Sequence, residues 1–296
     1  MYFDSNTLVF LDGEFIPAEQ ATCGVYAQSL HYGYAVFEGI RAYNTAQGAR
    51  IFKAREHYER LHYSCSAIGL PLSYSVAELT EISYTLLAKN NLTDAYIRPL
   101  AFAATPHMTL TTPATGNLLM AVWHWGKYLG NQSLRLTVSP YERPNPKAVP
   151  IEAKVSGHYV NSIIASSEAK GRGFDEALLL DMNGYVAEGS GANFFFERDG
   201  ELFTAPGGSI LRGITRNTII DLARESGITV IEKFFRPEEL RGATGAFMTG
   251  TAAEVIGVAS VDEVVFEQPF ERTLGALLAA RYTALVLGET VAAKAS

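Results

Sequence analysis

EALLLDMNGYVAEGSGANFFFERDGELFT, residues 176–204, decides the fold. It breaks into strand-like runs at 176–181, 185–188, 193–197 and 201–204. Two of the joints are Asn183-Gly184 and Asp199-Gly200, dipeptides that readily take the left-handed conformations tight hairpins require. Strands joined this way pair antiparallel, whereas a doubly wound sheet needs a crossover between strands. Helical patterns lie on both sides, at 160–170, at 216–225 and near 269–287. Hairpins interleaved with helices predict an α+β fold with mixed sheets, not a doubly wound parallel one.

Toward the N-terminus, runs 8–11 and 14–16 flank Asp12-Gly13, a further hairpin signal. Helices are expected at 56–68 and 76–89, and strands at 96–104 and 118–125. TPHMTLTTPATGN, residues 105–117, reads as a loop long enough to carry function. A strand at 134–139 and a proline-rich loop at 140–150 open the second half. These readings divide the chain into a small domain (1–124), a linker (125–133), a large domain (134–290) and a disordered tail (291–296).

With 296 residues, 48% hydrophobic, the chain can bury two cores without disulfides or metal. Its 24 basic against 31 acidic residues give a formal charge of −7, which argues against a nucleic-acid binder. No apolar run approaches the ~20 residues of a membrane span. MYFDSNT lacks the pattern of a secretory signal. Cys23 and Cys65 form no C-x-x-C pair, and the histidines show no metal-ligand spacing. A soluble, cytoplasmic protein without metal is expected. The 15 Tyr, 16 Phe and 2 Trp exceed no demand of core packing, yet they offer material for an aromatic site.

Lys154 stands out because its neighbours, Ala153, Val155, Ser156 and Gly157, are small or apolar, and no acid lies three or four residues away. A lysine in such surroundings suits Schiff-base chemistry, although most lysines are simply solvated. Glu188 precedes Gly189-Ser190-Gly191, where a ligand or chain can approach the backbone closely. Gly213-Ile214-Thr215-Arg216 places Thr215 as the N-cap of a helix, and Thr251-x-x-Glu254 has capping-box spacing. Capping alone explains each; two such anion-friendly helix starts beside a candidate lysine and a lone acid fit a phosphate-bearing aldehyde better. Arg55 opens a helix, where its charge asks for an anion. Tyr96 and Arg98 alternate on one strand face as a phenol–guanidinium pair, either a carboxylate receptor or a surface pair.

Taken in order, these segments resemble the class IV (fold-type IV) pyridoxal-phosphate enzymes, and most closely the branched-chain amino acid aminotransferases. The resemblance rests on Leu30-His31-Tyr32-Gly33, Val36-Phe37-Glu38-Gly39-Ile40-Arg41, Arg55-Glu56-His57 and Ala95-Tyr96-Ile97-Arg98-Pro99. It continues through Trp125-Gly126-Lys127-Tyr128-Leu129-Gly130, Lys154-Val155-Ser156-Gly157-His158-Tyr159, Asn183-Gly184-Tyr185-Val186-Ala187-Glu188-Gly189, the 213–216 segment and Gly250-Thr251-Ala252-Ala253-Glu254. It implies a small α/β domain and a larger domain with a mixed sheet or pseudo-barrel and flanking helices. By the same resemblance, the cofactor is pyridoxal 5'-phosphate, Lys154 forms the internal aldimine, Glu188 pairs with the ring nitrogen, and Tyr159 meets the ring hydroxyl.

Arg55, Ile214, Thr215 and Thr251 are implied as the phosphate cradle. Tyr96 with the Thr251–Ala252 turn would take the substrate α-carboxylate, and Arg98 the γ-carboxylate of glutamate or 2-oxoglutarate. Phe37, Trp125, Tyr128 and, from a second subunit, Tyr32 are implied around the side-chain pocket, and Gly39 and Arg41 as further substrate-binding residues. The implied activity is ping-pong transamination of leucine, isoleucine and valine with 2-oxoglutarate, in a homodimer or higher homo-oligomer with sites at the interface. A D-amino acid or (R)-amine transaminase, or an aminodeoxychorismate lyase, would share the lysine and glutamate; Tyr96-x-Arg98 and WGKYLG favour the branched-chain enzyme. A non-catalytic ligand-binding protein is the alternative of a different class. The loop TPHMTLTT, residues 105–112, departs from the family by lacking its glycines, which bears on specificity.

Overall fold

A computed structural model describes residues 2–104, 108–113, 115–126 and 132–289. The tail expected at 291–296 and most of the linker expected at 125–133 lie outside the described residues. The chain forms two units, Met1–Gly126 with Ala153–Tyr159, and Lys127–Glu152 with Val160–Ser296. The first contains β1 (Leu8–Leu11), β2 (Glu14–Pro17), α1 (Gln28–Tyr32), β3 (Ala35–Phe37), β4 (Ile40–Thr45) and β5 (Gly48–Ile51). It continues with α2 (Ala54–Ile68), α3 (Val76–Lys89), β6 (Ala95–Phe102) and β7 (Asn117–Trp123). The sheet order is β2-β1-β7-β6-β4-β5, with β3 also on β6, and every pairing is antiparallel.

Alternation sorts this sheet into two faces. One carries Ile40, Ala42, Ile97, Ala101, Leu118, Met120 and Val122 into a core shared with Tyr58, Leu61 and Cys65 of α2 and Leu79, Leu86 and Leu87 of α3. α3 begins at a capping box, in which Ser75 accepts from the Glu78 amide and the Glu78 carboxylate accepts from the Ser75 amide. The opposite face presents Arg41, Tyr96 and Trp123 in one cross-strand row, since Tyr96 opposes both of the others. That face carries the candidate site of this unit.

The stretch Ala153–Tyr159 belongs to the first unit, which corrects the expectation that residues 134–290 form one domain. Several bonds tether it to that unit. The Phe37 amide donates to the Lys154 carbonyl at 3.1 Å, the Lys154 amide donates to Ser64 Oγ at 2.9 Å, and Val36 bridges Val155. The Gly157 amide donates to the Gly33 carbonyl at 3.1 Å. Gly33, at φ +64°, could carry no side chain here, because a Cβ would lie 2.8 Å from the Gly157 Cα.

The second unit contains β8 (Leu134–Val138), α4 (Tyr159–Gly171, whose first residue belongs to the first unit), β9 (Glu176–Leu180), β10 (Val186–Gly189), β11 (Asn193–Arg198) and β12 (Glu201–Thr204). It ends with α5 (Ile214–Glu225), β13 (Val230–Glu232), β14 (Gly245–Gly250), β15 (Glu254–Val261), β16 (Val264–Val265) and α6 (Leu274–Leu287). The order β10-β9-β8-β15-β14-β11 closes because β10 also pairs β11, so six strands form a barrel. β8 pairs β9 and β15 in parallel, while the hairpins are antiparallel, so the sheet is mixed as expected. At Asp199-Gly200 both residues have positive φ, 52° and 78°, as a tight two-residue turn demands. Val186, Phe194, Phe196, Phe235 and Met248 fill the core of this unit.

Candidate active site

In the first unit, Lys154 Nζ donates to Tyr159 Oη at 2.6 Å and stands 4.8 Å from the centre of the Phe37 ring. Phe37 and Tyr159 pack edge to face at 4.8 Å. The guanidinium of Arg98 lies 4.6 Å from the Phe37 centroid, and its Nη2 donates to Tyr96 Oη at 3.1 Å. Trp125 meets Tyr96 edge-on at 4.5 Å, and Trp123 lies 5.1 Å from Tyr96. Lys154, Tyr159, Phe37, Tyr96, Arg98 and Trp125 are therefore one contiguous cluster, with Trp123 added by the alternation of β7. Arg98 Nε and Trp123 Nε1 are buried without partners among the described residues, and both residues border a cavity of about 300 Å³ roofed by Tyr2 and Phe3. Unpaired donors of this kind carry a desolvation cost that an acidic ligand would offset.

Gly39 is required by this packing. A Cβ there would sit 2.0 Å from Tyr96 Oη. Gly39→Ala is expected to push the phenol off Arg98 at an overpacking cost of about 1–3 kcal/mol. Thermal unfolding should show a Tm lowered by about a few degrees, with little change in the far-ultraviolet circular dichroism. An unchanged Tm would mean that the Tyr96 phenol can move aside without cost.

Beneath the cluster lies a charged group. Glu38 is wholly buried and accepts from Arg60 Nε at 2.6 Å and Nη2 at 2.9 Å. It also accepts from His57 Nδ1 at 2.8 Å; a carboxylate can only accept, so Nδ1 carries the hydrogen. Burial alone would raise the Glu38 carboxyl, but the charge of Arg60 and the His57 bond overcome it and hold the group well below the usual carboxylate range. Burial pushes the His57 pKa down despite Glu38, so the imidazole is neutral near pH 7.

This geometry corrects the expectation for Arg55. Its side chain is 81% exposed and satisfied by Glu59 at 2.7 Å, one helical turn along α2. The arginine that α2 turns inward is Arg60. Arg41 shares the face of Tyr96, with its Nη2 donating to Asp94 at 2.9 Å. Tyr32 is 46% exposed on α1. Tyr128 and residues 105–107 of the atypical loop lie outside the described residues; of the rest of that loop, the carbonyls of Thr109 and Thr111 accept from the buried Gln28 amide.

In the second unit, Glu188 sits at an irregular step of β10 and opposes Asn193. Its carboxylate accepts from Arg143 Nη2 at 2.9 Å, Asn193 Nδ2 at 2.9 Å and the Leu211 amide at 3.1 Å. Asn193 in turn opposes Thr249, whose Oγ1 is buried with no partner among the described residues. Gly213 presses on this group, for a Cβ there would lie 2.1 Å from Asn193 Oδ1.

Ile214 and Thr215 open α5 and are buried. The N-cap is Gly213, with no side-chain bond, which corrects the expectation that Thr215 caps the helix. The uncapped first turn leaves its amides to serve an anion. The Thr251–Glu254 segment is no helix start either. Thr251 and Ala252 lie in the half-buried turn joining β14 to β15, where Glu254 takes φ +55°.

No group among the described residues could hold a metal, and no helix among them is long and apolar enough to cross a membrane.

The family model of class IV amino-transferases matches residues 35–261. The branched-chain-amino-acid aminotransferase of Escherichia coli (strain K12) is 43% identical over 263 residues, 86% of this chain and 85% of that protein. Among solved structures, the branched-chain aminotransferase of Thermoproteus uzoniensis with norvaline superposes with a TM-score of 0.92 at 38% identity, covering 96% of this chain and 95% of that one. The branched-chain amino acid aminotransferase of Thermobaculum terrenum in its PLP-form does so at 0.91 and 33% identity, covering 97% of this chain and 96% of that one. A family match that runs through the Lys154 cluster and the Glu188 group alike, with relatives this close along nearly all of their length, places the protein: the chain belongs to the class IV aminotransferases.

Proposed function

We propose that the chain transfers the amino group of branched-chain L-amino acids to 2-oxoglutarate, with pyridoxal 5'-phosphate as cofactor. The observation that carries this reading is the Lys154 amine, directed by Tyr159 onto an aromatic floor beside the Tyr96–Arg98 pair. The donor set suits the group: an amine for its aldehyde, buried uncapped amides for its phosphate, and a buried carboxylate for its ring nitrogen. When bound, the cofactor supplies an electron sink for the carbanion left by loss of the α-proton.

Lys154 Nζ carries that proton, with Tyr159 Oη fixing its direction. Glu188 holds a proton on the ring nitrogen, and Arg143 and Asn193 keep its carboxylate in place. Ile214, Thr215 and Thr251 hold the phosphate, and Arg60 takes the part first expected of Arg55. Tyr96 with Thr251 and Ala252 holds the α-carboxylate, while Phe37 and Trp125 exclude water around an apolar side chain. Donor and acceptor occupy one pocket in turn, which makes the kinetics ping-pong. Two exposed apolar surfaces, Val25, Tyr26 and Leu30 around α1 and Val160, Ile163 and Ile164 along α4, support a homodimer in which a second copy would cover them, with Tyr32, exposed on α1, as the residue proposed to reach the other subunit's pocket.

Half-reaction rates with L-leucine, L-valine, D-alanine and (R)-1-phenylethylamine test the substrate class. L-leucine and L-valine should react fastest; a faster D-alanine would overturn the reading. Arg98 gives a second check, because an apolar pocket must also accept a γ-carboxylate. Arg98→Ala is expected to raise KM for 2-oxoglutarate about 30-fold, the cost of ~2 kcal/mol for a lost charge partner, and to affect leucine far less. Equal losses for both would contradict its role.

A further inference from the structure

Glu38 and His57 have no part in the chemistry above, yet they form a fully buried charged group in the first unit. Glu38 sits in the short connection between β3 and β4, and its amide donates to the Pro99 carbonyl at 3.0 Å, next to Arg98. His57 and Arg60 are three residues apart on α2, so both reach the same carboxylate from one helix face. Arg60 is gripped along its Nε–Nη2 edge by both carboxylate oxygens, and 14% of its side chain stays accessible.

A bidentate grip fixes the plane of a guanidinium, and with it the direction in which the rest of the group can bind. Stability alone is a poor reason for such a pair, because buried ion pairs are often replaceable by apolar groups without loss. His57, being neutral, completes the carboxylate without adding a second cation to compete with Arg60. The gain is an arginine ordered before its anion arrives.

We propose that Glu38, braced by His57, is a positioning residue that presets Arg60 to receive the phosphate of the cofactor. This rests on the reading that Arg60 meets that phosphate, and the test separates the two. Pyridoxal 5'-phosphate and pyridoxal share the aldehyde and ring and differ in the phosphate. Calorimetric titration of the full chain, stripped of cofactor, would compare their Kd values in wild type, Glu38→Gln and Arg60→Lys. Glu38→Gln is expected to weaken pyridoxal 5'-phosphate about tenfold and pyridoxal by less than twofold, and Arg60→Lys should show the same selectivity. Should Glu38→Gln not fold, Glu38→Asp keeps the charge but withdraws it from bidentate reach, and carries the same comparison. Equal weakening of both ligands, or none, in the Glu38 variants while Arg60→Lys is selective would overturn the positioning role alone. An Arg60→Lys variant that binds both ligands like wild type would overturn the phosphate reading, and the proposal with it.

Discussion

Lys154→Ala is expected to lower kcat for leucine transamination by at least about a thousandfold, or ~4 kcal/mol in the barrier, while leaving the fold intact. The backbone of Lys154 is held by bonds to Ser64 and Phe37 that involve no lysine side-chain atom, so its removal costs the scaffold little. No other described lysine of the first unit can replace it. Lys53 pairs with Glu56 at 3.7 Å, and Lys89 lies over Phe15. Single-turnover rates with leucine, alongside circular dichroism, would check this. Loss of less than tenfold in a folded variant would remove Lys154 from the chemistry. Addition of a small primary amine should restore part of the rate, since the missing group is a proton carrier.

Glu188→Gln should damage both stability and activity, and the two losses can be separated. Arg143 and Glu188 have side chains only 9% and 7% exposed, so the amide leaves a buried guanidinium facing a donor instead of a carboxylate. Breaking a buried pair from one side costs about 3–5 kcal/mol, which corresponds to a fall in Tm of roughly 10 °C here. Activity should fall further, because glutamine has no charge with which to keep a proton on the ring nitrogen. Replacing Arg143 by methionine in the same variant removes the orphaned cation. The double variant is expected to recover much of the Tm and none of the kcat. Recovery of both together would reduce Glu188 to a structural role.

Local chemistry explains which parts of this molecule were legible in the chain. The hairpins β9–β10 and β11–β12 followed from Asn183-Gly184 and Asp199-Gly200, because turn preference is a property of adjacent residues. Closure of the barrel was hidden, since it depends on parallel pairing of β8 with β9 and β15, strands far apart in sequence. The place of Ala153–Tyr159 in the first unit was hidden for the same reason: its tethers at Gly33, Phe37 and Ser64 lie far upstream in the chain. Thr251-x-x-Glu254 shows the opposite limit, a helix-start spacing that a β-turn satisfies equally well.

The arginines of α2 are instructive. Arg55 stands at a helix start, where Glu59 already supplies the anion. Arg60 falls three residues after His57 and beside Leu61, on the buried stripe of the helix, and that position was the available signal. Its partner Glu38 could be found only in the folded chain. Tyr96 and Arg98 were paired by strand alternation, and the same rule applied across to β7 would have added Trp123.

In the proposed function the Lys154 amine is the covalent attachment point of the cofactor. Borohydride reduction of the protein loaded with pyridoxal 5'-phosphate, followed by proteolysis and mass spectrometry, tests it most directly. A visible absorption band that reduction abolishes is expected, with the pyridoxyl label on the peptide containing Lys154. A label on another lysine, or a colourless protein that takes up none, would contradict it.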